Sequence, residues 1–201
     1  MKSRYLLVAL LLLLPCLGAA PAAALGGPQA QLQETVDGVI DLLRARDLPL
    51  EDRRAQLSTL VRARFDFPTM AQWVLGPQWQ RADAGEQQRF IALFTDLLEA
   101  TYLGRIEEYS DERVEFLGER IEDRRAQVDT RIITRAAEIP MSYRLVQRGE
   151  QWLVFDVIIE NVSLVRTYRS SYSEIARREG MAGLFAQMEQ RIRELKAGGE
   201  G

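Results

Sequence analysis

Two runs and the turn between them decide the fold: Ile139-Pro140-Met141-Ser142-Tyr143-Arg144-Leu145, the pair Arg148-Gly149, and Trp152-Leu153-Val154-Phe155-Asp156-Val157-Ile158-Ile159. In the first run, apolar residues at 139, 141, 143 and 145 alternate with Ser142 and Arg144, the two-residue period of a strand with one buried face. Arg148-Gly149 reads as a turn. The second run is apolar on both sides except at Asp156, as in a strand covered on both faces. The same period extends upstream, where Val128, Thr130 and Ile132 alternate with Asp129, Arg131 and Ile133, and where Val114 and Phe116 flank Glu115. Short connections among the four runs predict an antiparallel meander.

On either side of the meander the period is helical. Leu32, Val36, Val39, Ile40 and Leu43 form one apolar stripe, ended by Asp47 to Pro49. A second helix carries Leu57, Leu60 and Val61 until Phe65-Asp66-Phe67-Pro68 interrupts it, and a short third helix stops at Gly76-Pro77. Asp83 and Glu86 have the spacing of a capping box for a long helix reaching about Tyr109. After Asn161 the helical period resumes to Glu179, Gly180 breaks it, and Met181 to Lys196 forms a last amphipathic helix. Helices, then strands, then helices predict an α+β fold: an antiparallel, four- or five-stranded curved sheet covered on one face by several helices, with an apolar cavity between the layers.

The chain opens with Lys2 and Arg4, an unbroken apolar run from Tyr5 to Leu14, and a small-residue stretch from Pro15 to Ala24. This is the layout of a cleavable secretory signal, and the apolar run is far shorter than the roughly 20 residues needed to span a bilayer. Cleavage is expected near Ala24, which divides the chain into a signal at 1–24 and one domain at 25–201. The single cysteine, Cys16, lies within the signal. Disulfides and thiolate metal sites are thereby excluded from the mature chain, whose stability must rest on a buried core, and about 175 residues suffice for one such core. Loss of Lys2 and Arg4 lowers the basic count from 26 to 24 against 29 acidic residues and moves the net charge from -3 to -5. A mildly acidic chain argues against nucleic acid as a partner.

Much catalytic chemistry is missing. The chain has no histidine, so the commonest general base and metal ligand are absent together with the thiol nucleophile. Lys196 is the only mature lysine, and neither a Gly-x-Ser-x-Gly elbow nor a phosphate-binding glycine loop occurs. The acids Glu107, Glu108, Asp111 and Glu112 read as a solvated charge run. Asp156 is open to two readings: a buried acid with a raised pKa suited to proton transfer, or an acid paired with an arginine or facing solvent. No catalytic residue, metal or cofactor is expected.

The run Trp152 to Val165, followed by Thr167-Tyr168-Arg169-Ser170-Ser171-Tyr172, resembles the signature of the MlaC, or toluene-tolerance, family of periplasmic phospholipid-binding proteins. Phe67-Pro68-Thr69-Met70-Ala71, Val74-Leu75-Gly76, Trp79, Gln88-Arg89-Phe90, Phe94, Tyr102 and Arg177-Arg178-Glu179-Gly180 fit the same pattern in order. Asn161 departs from it, standing where the family usually has glycine, although asparagine tolerates left-handed backbone angles. The resemblance implies a soluble periplasmic carrier with transient membrane proximity. It would take phospholipid between an outer-membrane lipoprotein–porin complex and an inner-membrane ABC transporter of the MCE type, maintaining outer-membrane lipid asymmetry. A hopanoid-binding branch is one alternative, and an enzyme using Asp156 and Tyr143 on an apolar substrate is another.

Each methylene left in water costs about 0.8 kcal/mol, so a sixteen-carbon tail costs on the order of 12 kcal/mol and must be hidden to cross an aqueous space. The expected tail-binding residues are Phe67, Met70 and Val74 on the short helix and Phe94, Leu98 and Tyr102 on the long one. From the sheet come Val128, Ile132, Tyr143, Phe155, Val157 and Ile159, with Val162 just beyond it. Arg166 and Arg169, on the polar side of the following helix, are expected at the rim, facing a headgroup or a partner.

Overall fold

A computed structural model of the chain describes residues 26–107 and 113–198. The expected signal at 1–24, its expected cleavage point and the acids Glu108, Asp111 and Glu112 lie outside the described residues, as does the side chain of Glu107.

Helix α1 (Pro28–Arg44) starts with proline at its first position, where the missing N–H costs nothing. Its first turn is tied down by Gln31, which donates to the Gly26 and Glu150 carbonyls, both at 2.9 Å. Helix α2 (Leu50–Arg64) runs into Phe65, which makes a single parallel bridge to Val154. Asp66 then caps α3 (Phe67–Leu75), accepting from the Thr69 backbone N–H at 3.0 Å and pairing with Arg148 at 3.2 Å. Gly76 follows at φ 54°, in the left-handed region that ends helices, and leads into a 3-10 turn (Gly76–Gln78). The expected capping box forms at α4 (Ala84–Glu107): Asp83 accepts from the Glu86 N–H at 2.8 Å, and Glu86 accepts from the Asp83 N–H at 3.0 Å.

The meander comprises β1 (Arg113–Glu122), β2 (Arg125–Ile133), β3 (Glu138–Arg148), β4 (Gln151–Ile159) and the two-residue β5 (Val162–Ser163), all antiparallel and in chain order across the sheet. The α+β class and the antiparallel sheet stand as expected, with five strands. Glu160 and Asn161 join β4 to β5 with φ of 49° and 68°. Positive φ at both central positions is what a type I′ two-residue hairpin loop requires, and asparagine meets it as glycine would. Helix α5 (Leu164–Gly198) is divided at Gly180, whose φ of 72° and ψ of 178° are not helical.

Two apolar clusters hold these parts together. One joins the helices: Phe67, Met70 and Val74 of α3, Phe90, Phe94 and Leu97 of α4, and Val165, Leu184, Phe185 and Met188 of α5. The other lies on the inner face of the sheet, where Val128, Leu145, Trp152, Val154 and Val157 meet Leu32 of α1.

A bulge in β4 alters the order of its side chains. Arg144 pairs with Asp156 but Leu145 pairs with Val154, so Phe155 is an extra residue. Before it the even positions Trp152 and Val154 face the inner cluster; after it the odd position Val157 does.

Candidate functional site

The inward stripe of α1 does not close against the sheet. Gln31 and Leu32 are buried at its start, but Val36, Val39, Ile40 and Leu43, further along, are only half-buried. Facing them, Val114, Ile132, Ile139, Met141, Tyr143 and Ile159 are half-buried as well. Apolar residues that point inward yet retain exposed surface line a void. Its volume is about 490 Å³, well within the range of small-molecule sites. Val61 and Arg64 of α2, Phe65, Phe67, Leu98, Tyr102, Leu103 and Leu164 complete the wall.

Polar groups on this wall are few, and several are already engaged. Arg64 donates to Thr35 Oγ1 at 2.8 Å, Gln31 Oε1 at 3.0 Å and the Trp152 carbonyl at 2.9 Å, knitting α1, α2 and β4 together. Burial draws its guanidinium below the ordinary arginine value, opposed by the charge of Glu34. Glu99 is held by Ser58 and by a two-pronged contact from Arg62, whose own pKa is raised chiefly by that bond against the cost of burial. Such a wall can bind hydrocarbon by burial and offers little to orient a reaction.

Of the expected tail-binding residues, Phe67, Leu98, Tyr102, Ile132, Tyr143, Val157 and Ile159 are on this wall. Six are elsewhere. Met70, Val74 and Phe94 are fully enclosed in the helical cluster, and Val128 is fully enclosed in the sheet cluster. Phe155 is turned to the other side by the bulge and stacks on Trp73 with centroids 6.3 Å apart. Val162 is 60% exposed on β5. The largest part of the wall that the expected set lacks is the α1 stripe. Its period was plain, but a stripe against a packed core and a stripe against a cavity have the same period.

Arg166 and Arg169 are not at the cavity rim. They line a separate groove of about 640 Å³ with Trp73, Phe155, Asp156 and residues of β1 to β3, and no residue lines both spaces. Arg169 approaches the end of α3, donating to the Trp73 carbonyl at 3.4 Å, a favourable place for a cation.

The two readings of Asp156 are resolved here: it is buried and paired. Its carboxylate accepts from Ser163 Oγ at 2.8 Å and from the Val165 N–H at 3.1 Å, and lies 3.3 Å from Arg144. It therefore fixes the start of α5. Tyr143 pairs with Val157 and faces the cavity, whereas Asp156 lines the groove on the opposite face. The two cannot act as one acid/base pair. Among the described residues no group of three or more His, Cys, Asp or Glu is arranged to hold a metal, and no helix is long and apolar enough to cross a membrane.

A relative from Haemophilus influenzae, the intermembrane phospholipid transport system binding protein MlaC, is 20% identical over 179 residues, covering 84% of each chain. The solved structure of a phospholipid-binding protein from Ralstonia solanacearum, in complex with a phospholipid, superposes with a TM-score of 0.78 at 23% identity, over 85% of this chain and 99% of that one. The family described as MlaC protein matches residues 33–190, and the chain belongs to that family.

Proposed function

We propose that this protein is a periplasmic phospholipid carrier whose acyl-chain site is the cavity between α1 and the sheet. The observation that carries the proposal is the ring of inward-pointing, half-buried apolar residues around about 490 Å³. Leaving such surface wet is unfavourable, at roughly 25 cal/mol per Å², and a hydrocarbon tail removes the cost for protein and ligand together. The Haemophilus relative is a binding protein of an intermembrane phospholipid transport system, and the Ralstonia structure holds a phospholipid; both support the reading.

In this reading the signal at 1–24 delivers the chain to the periplasm as a single domain, 25–201. The mature protein then carries lipid between an outer-membrane lipoprotein–porin complex and an inner-membrane ABC transporter of the MCE type, which maintains the asymmetry of the outer membrane. It needs neither catalyst nor cofactor, since the work is solvation rather than bond making. The test is uptake from vesicles of labelled phospholipid, separated by flotation. Wild-type protein should carry label into the protein fraction, and Val39→Asp, which puts a charge on the wall, should lose at least about tenfold. Equal uptake by both would overturn the cavity as the site, and recovery of a polycyclic hydrocarbon in place of acyl lipid would reassign the cargo.

A further inference from the structure

The groove on the far side of the sheet has a chemistry of its own. In register across the strands, Arg120 of β1 lies opposite Gln127 of β2, Gln127 opposite Arg144 of β3, and Arg144 opposite Asp156 of β4. Arg125 sits beside this row, and Arg166 and Arg169 close it from α5. Five arginines thus line one recess of a chain whose net charge is -3. Glu122 and Asp156 are the acids among the lining residues. Asp156 is already occupied by Arg144, Ser163 and Val165. Arg125 and Arg166 are exposed, and neither has a carboxylate within ion-pair distance among the described residues. At the end of the groove Trp73 is 44% exposed, its ring supported by Phe155.

We propose that this groove is a docking site for an acidic segment of a partner protein. Unpaired guanidinium forks favour carboxylates, which they can bind with two parallel hydrogen bonds. A supported, half-exposed tryptophan beside arginines is the composition of an interface hot spot. The recess favours an extended chain, whose side chains can enter it, over a flat lipid surface. Because no residue lines both spaces, docking here leaves the cavity wall untouched.

The test uses the mature protein, its native lipid in place, and a fluorescently labelled oligoglutamate peptide read by anisotropy at low salt, with oligoglutamine as the neutral control. Arg125→Glu with Arg166→Glu should weaken binding of the acidic peptide at least about tenfold, and wild-type affinity should fall as salt rises. Arg125→Gln with Arg166→Gln should give a smaller loss in the same direction. Arg46→Glu with Arg193→Glu, which changes the net charge equally but lies outside the groove, should leave binding within about twofold. Lipid extracted from the same samples reads the cavity separately and should be unchanged. Absence of binding, equal loss in both charge-reversed pairs, or binding of phosphatidylglycerol vesicles but not the peptide would each overturn the proposal.

Discussion

The carboxylate of Asp156 sits where strand, turn and helix meet, and its three partners are used for structure. Replacing it with alanine strands the Val165 N–H and the Ser163 hydroxyl in a buried place and leaves Arg144 without its acid. Asp156→Ala is therefore expected to lower stability by about 2–3 kcal/mol, checked by urea unfolding. Asp156→Asn keeps one acceptor oxygen, enough for the Val165 N–H, and should cost less. Tyr172 makes a second prediction at this scale. Burial, with a smaller contribution from Tyr168 and against Arg191, raises its phenol from 10.0 to about 12. Folding thus favours the neutral form. That contribution is complete below about pH 10 and is lost as pH rises through about 12, so stability should fall across this window. Tyr172→Phe should flatten the fall, followed by unfolding midpoints at stepped alkaline pH.

Helix α1 and strand β4 illustrate what could and could not be read from the sequence alone. Local rules specify ends and turns: the Asp83/Glu86 capping box, the break at Gly180 and the tight turn through Asn161 all depend on neighbours within a few residues. Facing is different. A simple two-residue alternation puts Phe155 with Val157 and Ile159, but the bulge inserts Phe155 as an extra residue and places it on the groove side. Its cause is in the pairing with β3, outside the run itself. Met70 and Phe94 share the apolar period of their helices with wall residues, and only packing by α5 assigns them to the closed core. The two kinds of apolar residue should respond differently to change. Phe94→Ala opens a hole in a close-packed cluster and is expected to cost about 3–5 kcal/mol. Val39→Asp alters a half-exposed wall and should cost much less stability while removing most bound lipid. Denaturant unfolding and lipid extraction on the same two variants separate the effects.

Taken whole, the molecule presents two unlike faces on one sheet: an apolar space under α1 and an arginine-lined groove under the start of α5. The Asp156–Arg144 pair and the Ser163 and Val165 N–H contacts join β3, β4, β5 and the start of α5, so the groove is braced by strands that also carry cavity residues such as Tyr143 and Val157. A ligand that binds only the folded state stabilises it by mass action, by about 2.7 kcal/mol at a hundredfold excess over Kd. Delipidated protein should therefore unfold at a lower temperature than protein purified with its lipid, and returning phospholipid should restore the midpoint. The most direct test of the cavity as a carrier site is native mass spectrometry of the purified protein, with organic extraction of the same sample. One phospholipid-sized mass per chain, absent from Val39→Asp, is the predicted result. Protein recovered without bound lipid and unable to take any up from vesicles would contradict it.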